Sequence, residues 1–281
     1  MKIRITTDST CDLGHLVEQC NVGVLPLQVN LDGKAFYDGV DITPQDIFTF
    51  VAQTGVLPKT SAPSIGEYEE FFKKELDGYD YLIHFNISAK SSGSHAFAKS
   101  AGESFGGKVR VIDSMALSSG QGLLVMKAVD MRDSGASIDE IEETVNEFKT
   151  HINTSFVPDS LDYLYKGGRV SKMAMYGANL LKIHPCIEME EGQLIGTKKY
   201  RGKMSACIKT YIDDLKAKYQ NYDKKRCFIT HSCADEELVA LAKERVQELF
   251  DFEEIIETKA GSIITSHCGR NTLGVLFVYE K

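Results

Sequence analysis

Tyr81-Leu-Ile-His-Phe-Asn86-Ile-Ser88-Ala-Lys-Ser91-Ser92-Gly93-Ser94 decides the fold class of this chain. The apolar run from Tyr81 to Asn86 ends in a cluster of serines and a glycine, and a helical pattern follows. A short apolar segment bounded in this way reads as a strand feeding a helix. The same alternation extends in both directions. Strand candidates are residues 2–6, 22–27, 81–86, 109–112, 153–157, 183–189, 227–231, 255–259 and 274–279. Thr43-Pro44-Gln-Asp46 between them offers an N-cap, a proline at the first helical position and an acid at the third. Ser64-Ile-Gly-Glu67 and Ser137-Ile-Asp-Glu140 carry capping-box spacing, and Leu238, Leu241, Ala242, Val246 and Leu249 repeat at helical spacing. Strands alternating with helices predict an α/β fold of mostly parallel sheets covered by helices. Glu190-Glu191-Gly192 reads as a turn between two strands. The pattern shifts near residues 155–172, which places a boundary between an N-terminal α/β lobe, residues 1–158, and a C-terminal α/β lobe, residues 159–281.

With 281 residues, 43% of them hydrophobic and 26% charged, the chain can bury a substantial core and still enclose a pocket. A formal net charge of −8 argues against nucleic acid as a partner, since such proteins present a basic face. Lys216-Ala-Lys218 and Asp223-Lys-Lys-Arg226 read as solvated helix ends. Met1-Lys-Ile-Arg-Ile-Thr-Thr-Asp8 has charges where a signal peptide needs an apolar core, and no run reaches the roughly 18–20 apolar residues of a spanning helix. The expectation is a cytoplasmic protein without stable membrane insertion. Seven cysteines without a CxxC pair read as reduced, buried thiols, and His231-Ser-Cys233 lacks the partners of a metal site.

Ligands of open α/β sheets bind beyond the carboxyl ends of strands, so the loops there carry the functional signal. Thr6-Thr7-Asp8-Ser9-Thr10 reads on its own as the cap of a segment beginning at Asp12. In Pro58-Lys59-Thr60-Ser61-Ala62-Pro63-Ser64 two prolines restrict the backbone around a pair of hydroxyls that suits an anion. In the serine loop, Gly93 would let the backbone approach a ligand ahead of a helix start; a simple glycine-serine turn fits that segment equally well. Lys166-Gly167-Gly168-Arg169, Ile263-Ile-Thr-Ser-His267-Cys-Gly269 and Lys198-Lys199-Tyr200-Arg201 complete the set. There is no GxSxG, HExxH, GxGxxG or Walker spacing, and many serines without an identifiable base point to binding rather than nucleophilic catalysis.

Segments in order along the whole chain resemble the DegV family of fatty-acid-binding proteins. They are Thr7-Asp8-Ser9, Val24-Leu25-Pro26-Leu27, Lys59-Thr60-Ser61 with Pro63-Ser64, Ser91-Ser92-Gly93-Ser94 and Val111-Ile-Asp113-Ser114. Leu161, Tyr163 and Leu164 follow, with Lys166-Gly167-Gly168-Arg169-Val170-Ser171, Lys182-Ile183-His184-Pro185, Tyr200-Arg201-Gly-Lys203 and Thr265-Ser266-His267. Ser94-His95, Ala89, His184 and Cys268-Gly269-Arg270-Asn271 depart from the usual family residues. The resemblance implies a two-lobed DegV-like fold whose second lobe closes a lipid tunnel. It implies one long-chain fatty acid, such as palmitate, stearate or oleate, and no cofactor. Thr60, with Ser61 close by, and Ser92 with Gly93 would hold the carboxylate beside His267. Arg169 and Arg201 would face a separate fatty acid kinase related to the dihydroxyacetone kinases. That kinase would make an acyl phosphate for phospholipid synthesis, the carrier itself not being an enzyme.

Burying ~15 methylenes at about 0.8 kcal/mol each gains roughly 12 kcal/mol before ordering costs are subtracted. Fixed neutral hydroxyls can satisfy the carboxylate without a buried cation. Two other readings use the same residues. One is a serine hydrolase in which Ser92 and His267 pair and Gly93 builds an oxyanion hole; the other is a regulatory protein whose partner affinity depends on lipid.

Overall fold

The structure is a computed structural model that describes residues 1–169 and 183–280. Val170, Ser171 and Lys182, quoted above, lie outside the described residues. Strands β1 (Ile3–Asp8) and β2 (Val22–Leu25) pair in parallel, with the short helix α1 (Leu16–Gln19) between them. β3 (Gln28–Leu31), β4 (Lys34–Tyr37) and β5 (Lys59–Ser61) form a small antiparallel sheet. Asp32 and Gly33 turn β3 into β4 with φ of 51° and 81°, the left-handed pair of a two-residue hairpin. Helices α2 (Pro44–Thr54) and α3 (Ile65–Glu75) start at the expected capping boxes. β6 (Tyr81–Asn86) and β7 (Val109–Asp113) complete the first sheet, in the order β2-β1-β6-β7, all parallel. The chain leaves β1 to one side and returns on the other, so the carboxyl ends of β1 and β6 flank a switch point.

Helix α4 (Ser94–Gly102) packs with α3 on one face of this sheet, around Tyr68, Phe72, Leu82, Ala98 and Val109. Helix α5 (Ser119–Asp133) lies on the other face, with α6 (Ile138–Phe148) beside it. Every residue of α5 from Ser119 to Met126 is buried, because its far side meets Phe228, Leu276 and Val278 of a second sheet. A helix enclosed on all sides has no polar face to show.

The second sheet contains β8 (Ile152–Asn153), β9 (Ser155–Val157), β10 (Ile183–Glu190), β11 (Gln193–Arg201), β12 (Tyr222–Ser232), β13 (Glu254–Lys259) and β14 (Thr272–Tyr279). Its order is β11-β10-β9-β14-β12-β13, with β8 beside β14. Only β12 and β13 run parallel here, so the expected predominance of parallel strands holds in the first sheet and not in the second. The Glu191-Gly192 turn, with φ of 47° and 80°, lets β10 fold straight back as β11, a connection open only to antiparallel neighbours. Residues 152–157, placed in the first lobe by the sequence, pair with strands of this second sheet. Helices α8 (Met204–Lys218) and α9 (Glu236–Leu249) bury Tyr211, Leu215, Leu238 and Val246 against it. Two short helices, α7 (Asp162–Lys166) and α10 (Ser262–Cys268), complete the described elements. Among the described residues no helix is long and apolar enough to cross a membrane.

Candidate functional site

Two adjoining cavities lie beside helix α10, the outer one against the loop after β6 and the inner one against β9, β12 and β14 of the second sheet. The outer one, about 70 Å³, is lined by Leu27, Thr60, Ser61, Ser92, Arg169 and His267 among others. The inner one, about 60 Å³, is walled by Phe156, Leu164, Gly274 and Leu276. Leu117, Leu194, Ile264 and His267 line both, so the chambers meet at that ring of side chains. The hydroxyls of Thr60, Ser61, Ser91 and Ser92 edge the outer end; Ser118, Ser155, Thr230, Ser232 and Thr272 also line the inner one, their hydroxyls hydrogen-bonded within the protein. The small apolar core of Ile87, Leu117, Phe156, Leu164, Ile187 and Leu194 surrounds the inner end.

Thr60, on β5, and His267, in the last turn of α10, are joined by a hydrogen bond of 2.9 Å between Oγ1 and Nε2. Nδ1 of His267 is buried and has no partner among the described residues. Burial, with Arg169 nearby, lowers the His267 pKa to about 4, so the ring is neutral at physiological pH. The Thr60 hydroxyl can donate to Nε2 or accept from it, according to which ring nitrogen carries the proton. Gly167, just past α7, makes this packing possible: a Cβ there would fall 2.7 Å from His267 Nδ1 and 2.8 Å from the Tyr163 carbonyl. Gly269 serves the same joint from the other side, with φ of 76° and room for no Cβ against the Tyr163 ring.

Ser92 lies in the loop between β6 and α4, its hydroxyl 2.9 Å from that of Ser94 and 3.2 Å from the Ser94 amide. It makes no hydrogen bond to His267, whose Nε2 is engaged by Thr60. Ser61 is exposed and bonds Gln28 at 3.4 Å. Gly93 caps α4 with φ of −72° and a Cβ there would meet only Phe97 at ordinary contact distance, so its conformational freedom is not used. Arg169 is exposed, bonds the Gly167 carbonyl at 2.8 Å and lines the outer cavity. Arg201 stands at the opposite end of β11 from Leu194, seven residues and roughly 23 Å away along the strand. The structure thus brings Thr60, Ser61, Ser92, Arg169 and His267 to one cavity, and leaves Gly93 off its wall and Arg201 remote from it.

Helix α10 is held in place by two carboxylates from the first half of the chain. Asp12 accepts from the Gly261 amide at 2.8 Å and from Ser118 Oγ at 2.5 Å. Asp38 accepts from the Ser262 amide at 2.6 Å and from Ser9 Oγ at 2.8 Å. Burial raises the pKa of both. Asp8, completely buried at the end of β1, accepts from the Thr10 and Ile87 amides and from the side chains of Thr10, Gln121 and Asn86. It caps the turn Ser9–Cys11, and the expected helix at Asp12 starts only at Leu16. Burial raises its pKa as well, the hydrogen bonds opposing. No group of three or more acids, histidines or cysteines among the described residues is placed to hold a metal ion. From the other side, Ser88 Oγ donates to the Gly192 carbonyl at 2.7 Å, docking the β10–β11 turn and with it Leu194.

The sequence reading missed Ser91, Leu117, Leu194 and Ile264 as lining residues. Each is a common residue type in its own segment, and only tertiary topology unites them.

The DegV family model matches residues 2–280. A DegV domain-containing protein of Caldanaerobacter subterraneus is 34% identical over 278 residues, 98% of each chain. A fatty acid-binding protein of Thermotoga maritima is 31% identical over 282 residues, 98% of this chain and 96% of that one. Among solved structures, a fatty-acid-binding DegV family protein from Thermus thermophilus superposes with a TM-score of 0.92 at 29% identity over the whole of both chains. A stearic acid-binding protein from Eubacterium ventriosum superposes with a TM-score of 0.86 at 26% identity, covering 99% of this chain and 98% of that one. The α/β architecture expected from the sequence is the one these structures share.

Proposed function

This chain belongs to the DegV family, and on that premise we propose that it carries one long-chain fatty acid and presents the carboxylate to a separate fatty acid kinase. The observation that supports this reading is the paired chamber: hydroxyls of Thr60 and Ser92 and a neutral His267 at the outer end, apolar walls at the inner end. A carboxylate in a low-dielectric site needs donors on its oxygens, and the hydroxyls of Thr60 and Ser92 can supply them. The acyl chain then runs past Leu117 and Leu194 toward Leu276. Each chamber is well below the roughly 300–1,000 Å³ of ordinary ligand pockets, so the chain enters by displacing these side chains.

In this reading the protein works in the cytoplasm, has no cofactor and supplies no catalytic group. Arg169 at the mouth meets the kinase or its phosphate, and Arg201 belongs to a more distant part of the docking face. Relatives that bind fatty acids support the ligand class; the kinase step rests on the resemblance alone. Native mass spectrometry of the purified protein, followed by denaturation and identification of released lipid, tests the first part. One stoichiometric fatty acid is expected, and a protein that arrives bare and takes up neither palmitate nor oleate refutes it. Arg169→Ala and Arg201→Ala should retain palmitate and lower acyl phosphate formation by the kinase; unchanged phosphorylation in both refutes the second part.

A further inference from the structure

One side chain separates the inner chamber from the main core of the protein. On β14, Thr272, Gly274 and Leu276 line the chamber, while Leu273, Val275 and Phe277 face the core under α8 and α9. This is the two-residue alternation of a strand. No side chain fits at position 274: a Cβ there would fall 2.6 Å from the Ser155 carbonyl and 3.1 Å from Phe156 Cβ on the neighbouring strand. The consequence is a notch in the chamber floor. Leu276 leans over that notch, its Cδ1 3.2 Å from where the missing Cβ would stand.

The apolar residues of the chamber divide between two cores. Leu117, Phe156, Leu164, Leu194 and Cys268 belong to the small cluster around the chamber itself. Leu276 belongs instead to the large cluster between the two sheets, with Phe228, Val278 and the buried length of α5. It is therefore the partition between cavity and core. The polar residues beside it are pinned, Thr230 by Ser119 and Thr258, and Ser155 by Tyr211. Moving them breaks buried hydrogen bonds, whereas turning an isobutyl group between rotamers breaks none.

Resting on the fatty-acid reading above, we propose that Leu276 is the specificity-determining residue for chain length: standing over the Gly274 notch, it marks where the methyl end of the acyl chain stops. Each methylene that fits short of this wall leaves water and adds about fourfold to affinity. A methylene beyond the wall must enter the core around α5, which is packed to the density of a solid. Affinity therefore climbs with length up to a limit, and the reach of Leu276 sets that limit.

The test is a competition series of saturated fatty acids, decanoate to docosanoate, against one fluorescent fatty acid on wild type, Leu276→Ala, Leu276→Val and Leu276→Phe. Wild-type affinity should rise about fourfold per methylene to a limiting length and then level off. Leu276→Ala should move the limit longer by about two methylenes and Leu276→Phe should move it shorter, with chains below the limit bound as in wild type. A merely structural role would weaken every length by one factor and leave the limit in place. That result, or a limit unmoved by both enlarging and filling the wall, would overturn the inference and leave the carrier reading standing. Wild type that competes at no length would overturn the carrier reading itself. Leu276→Val removes less and keeps a good strand former, so its limit, about one methylene longer, carries the test if Leu276→Ala does not fold.

Discussion

Thr60 and His267, 207 positions apart in sequence, meet through one 2.9 Å hydrogen bond that closes the outer chamber between β5 and α10. Among the described residues Nδ1 of His267 is left without a partner, and Thr60 lines the chamber beside it. Several measurements depend on this geometry.

Thr60→Val keeps the shape of the side chain and removes its hydroxyl. Palmitate affinity should fall about tenfold, and about a hundredfold in the double variant with Ser92→Ala, and stability should fall by about 1–3 kcal/mol because His267 Nε2 loses its partner. Titration of palmitate into each purified variant checks this, and full affinity in the double variant would remove both residues from the carboxylate site.

Gly167 has φ of −73° and ψ of −11°, a conformation any residue adopts. Alanine there would ordinarily stabilise by about 0.4–1 kcal/mol through the unfolded state. The Cβ would instead press into His267 Nδ1 and the Tyr163 carbonyl, and overpacking costs typically 1–3 kcal/mol. The clash outweighs the entropy gain, so Gly167→Ala should lower the urea midpoint and weaken palmitate binding together. Gly168, with φ of 69° and open space around it, should lose stability on the same change without affecting binding.

Leu117 borders both chambers and is almost fully buried. Leu117→Phe narrows the joint between them. Octadecanoate should lose more affinity than decanoate, read by competition against one fluorescent ligand. Equal losses would mean that the acyl chain does not pass this point.

Stability should depend on pH through His267. Its pKa in the folded protein is about 4, below the ordinary 6.5, so the unfolded chain binds the extra proton between those values. Stability is therefore fully present above pH 6.5 and declines as pH falls toward 4, by up to about 1.4 kcal/mol per pH unit for one such group. His84, buried against Tyr68, Phe71 and Phe72 and lowered to about 3, acts with the same sign. Asp8, Asp12 and Asp38 act oppositely: burial raises them, so their share is lost as pH rises through their folded values. The His267 share is isolated by comparing wild type with His267→Gln in urea at pH 7.0 and 5.0. The wild type should lose more stability between the two.

Local signals carried much of the framework. All three capping boxes form as read, because a Ser or Thr side chain and an acid three residues on satisfy each other without help from the rest of the fold. Tyr81–Asn86 is a strand from end to end, as its apolar run between polar loops requires. The β3–β4 hairpin is harder to see. Asp32-Gly33 is a recognised turn pair and Gln28-Val29-Asn30-Leu31 alternates, yet each flank is only four residues long. The direction of β9, β10 and β14 is also invisible locally, since parallel and antiparallel partners use the same residue types. In the site, Thr60, Ser92, Arg169 and His267 lie in segments the sequence singles out, and the resemblance to the family gave them their roles. The apolar walls did not stand out, because Leu117, Leu194 and Leu276 look like any core leucine until the sheets are assembled. Arg201 marks the limit of motif reading: its neighbourhood resembles the family, and the length of β11 carries it away from the cavity.

Strand β14 follows every other strand of its sheet in the sequence, yet it lies in the middle, between β12 and β9. It supplies Gly274 and Leu276 to the inner chamber and covers the far side of α5. During synthesis on the ribosome, the cavity has no floor until residue 276 has emerged, and α5 waits with an apolar flank exposed to water. A nascent chain cannot trap a lipid early, and a ribosome stalled before β14 would leave a sticky intermediate for chaperones rather than a half-built carrier.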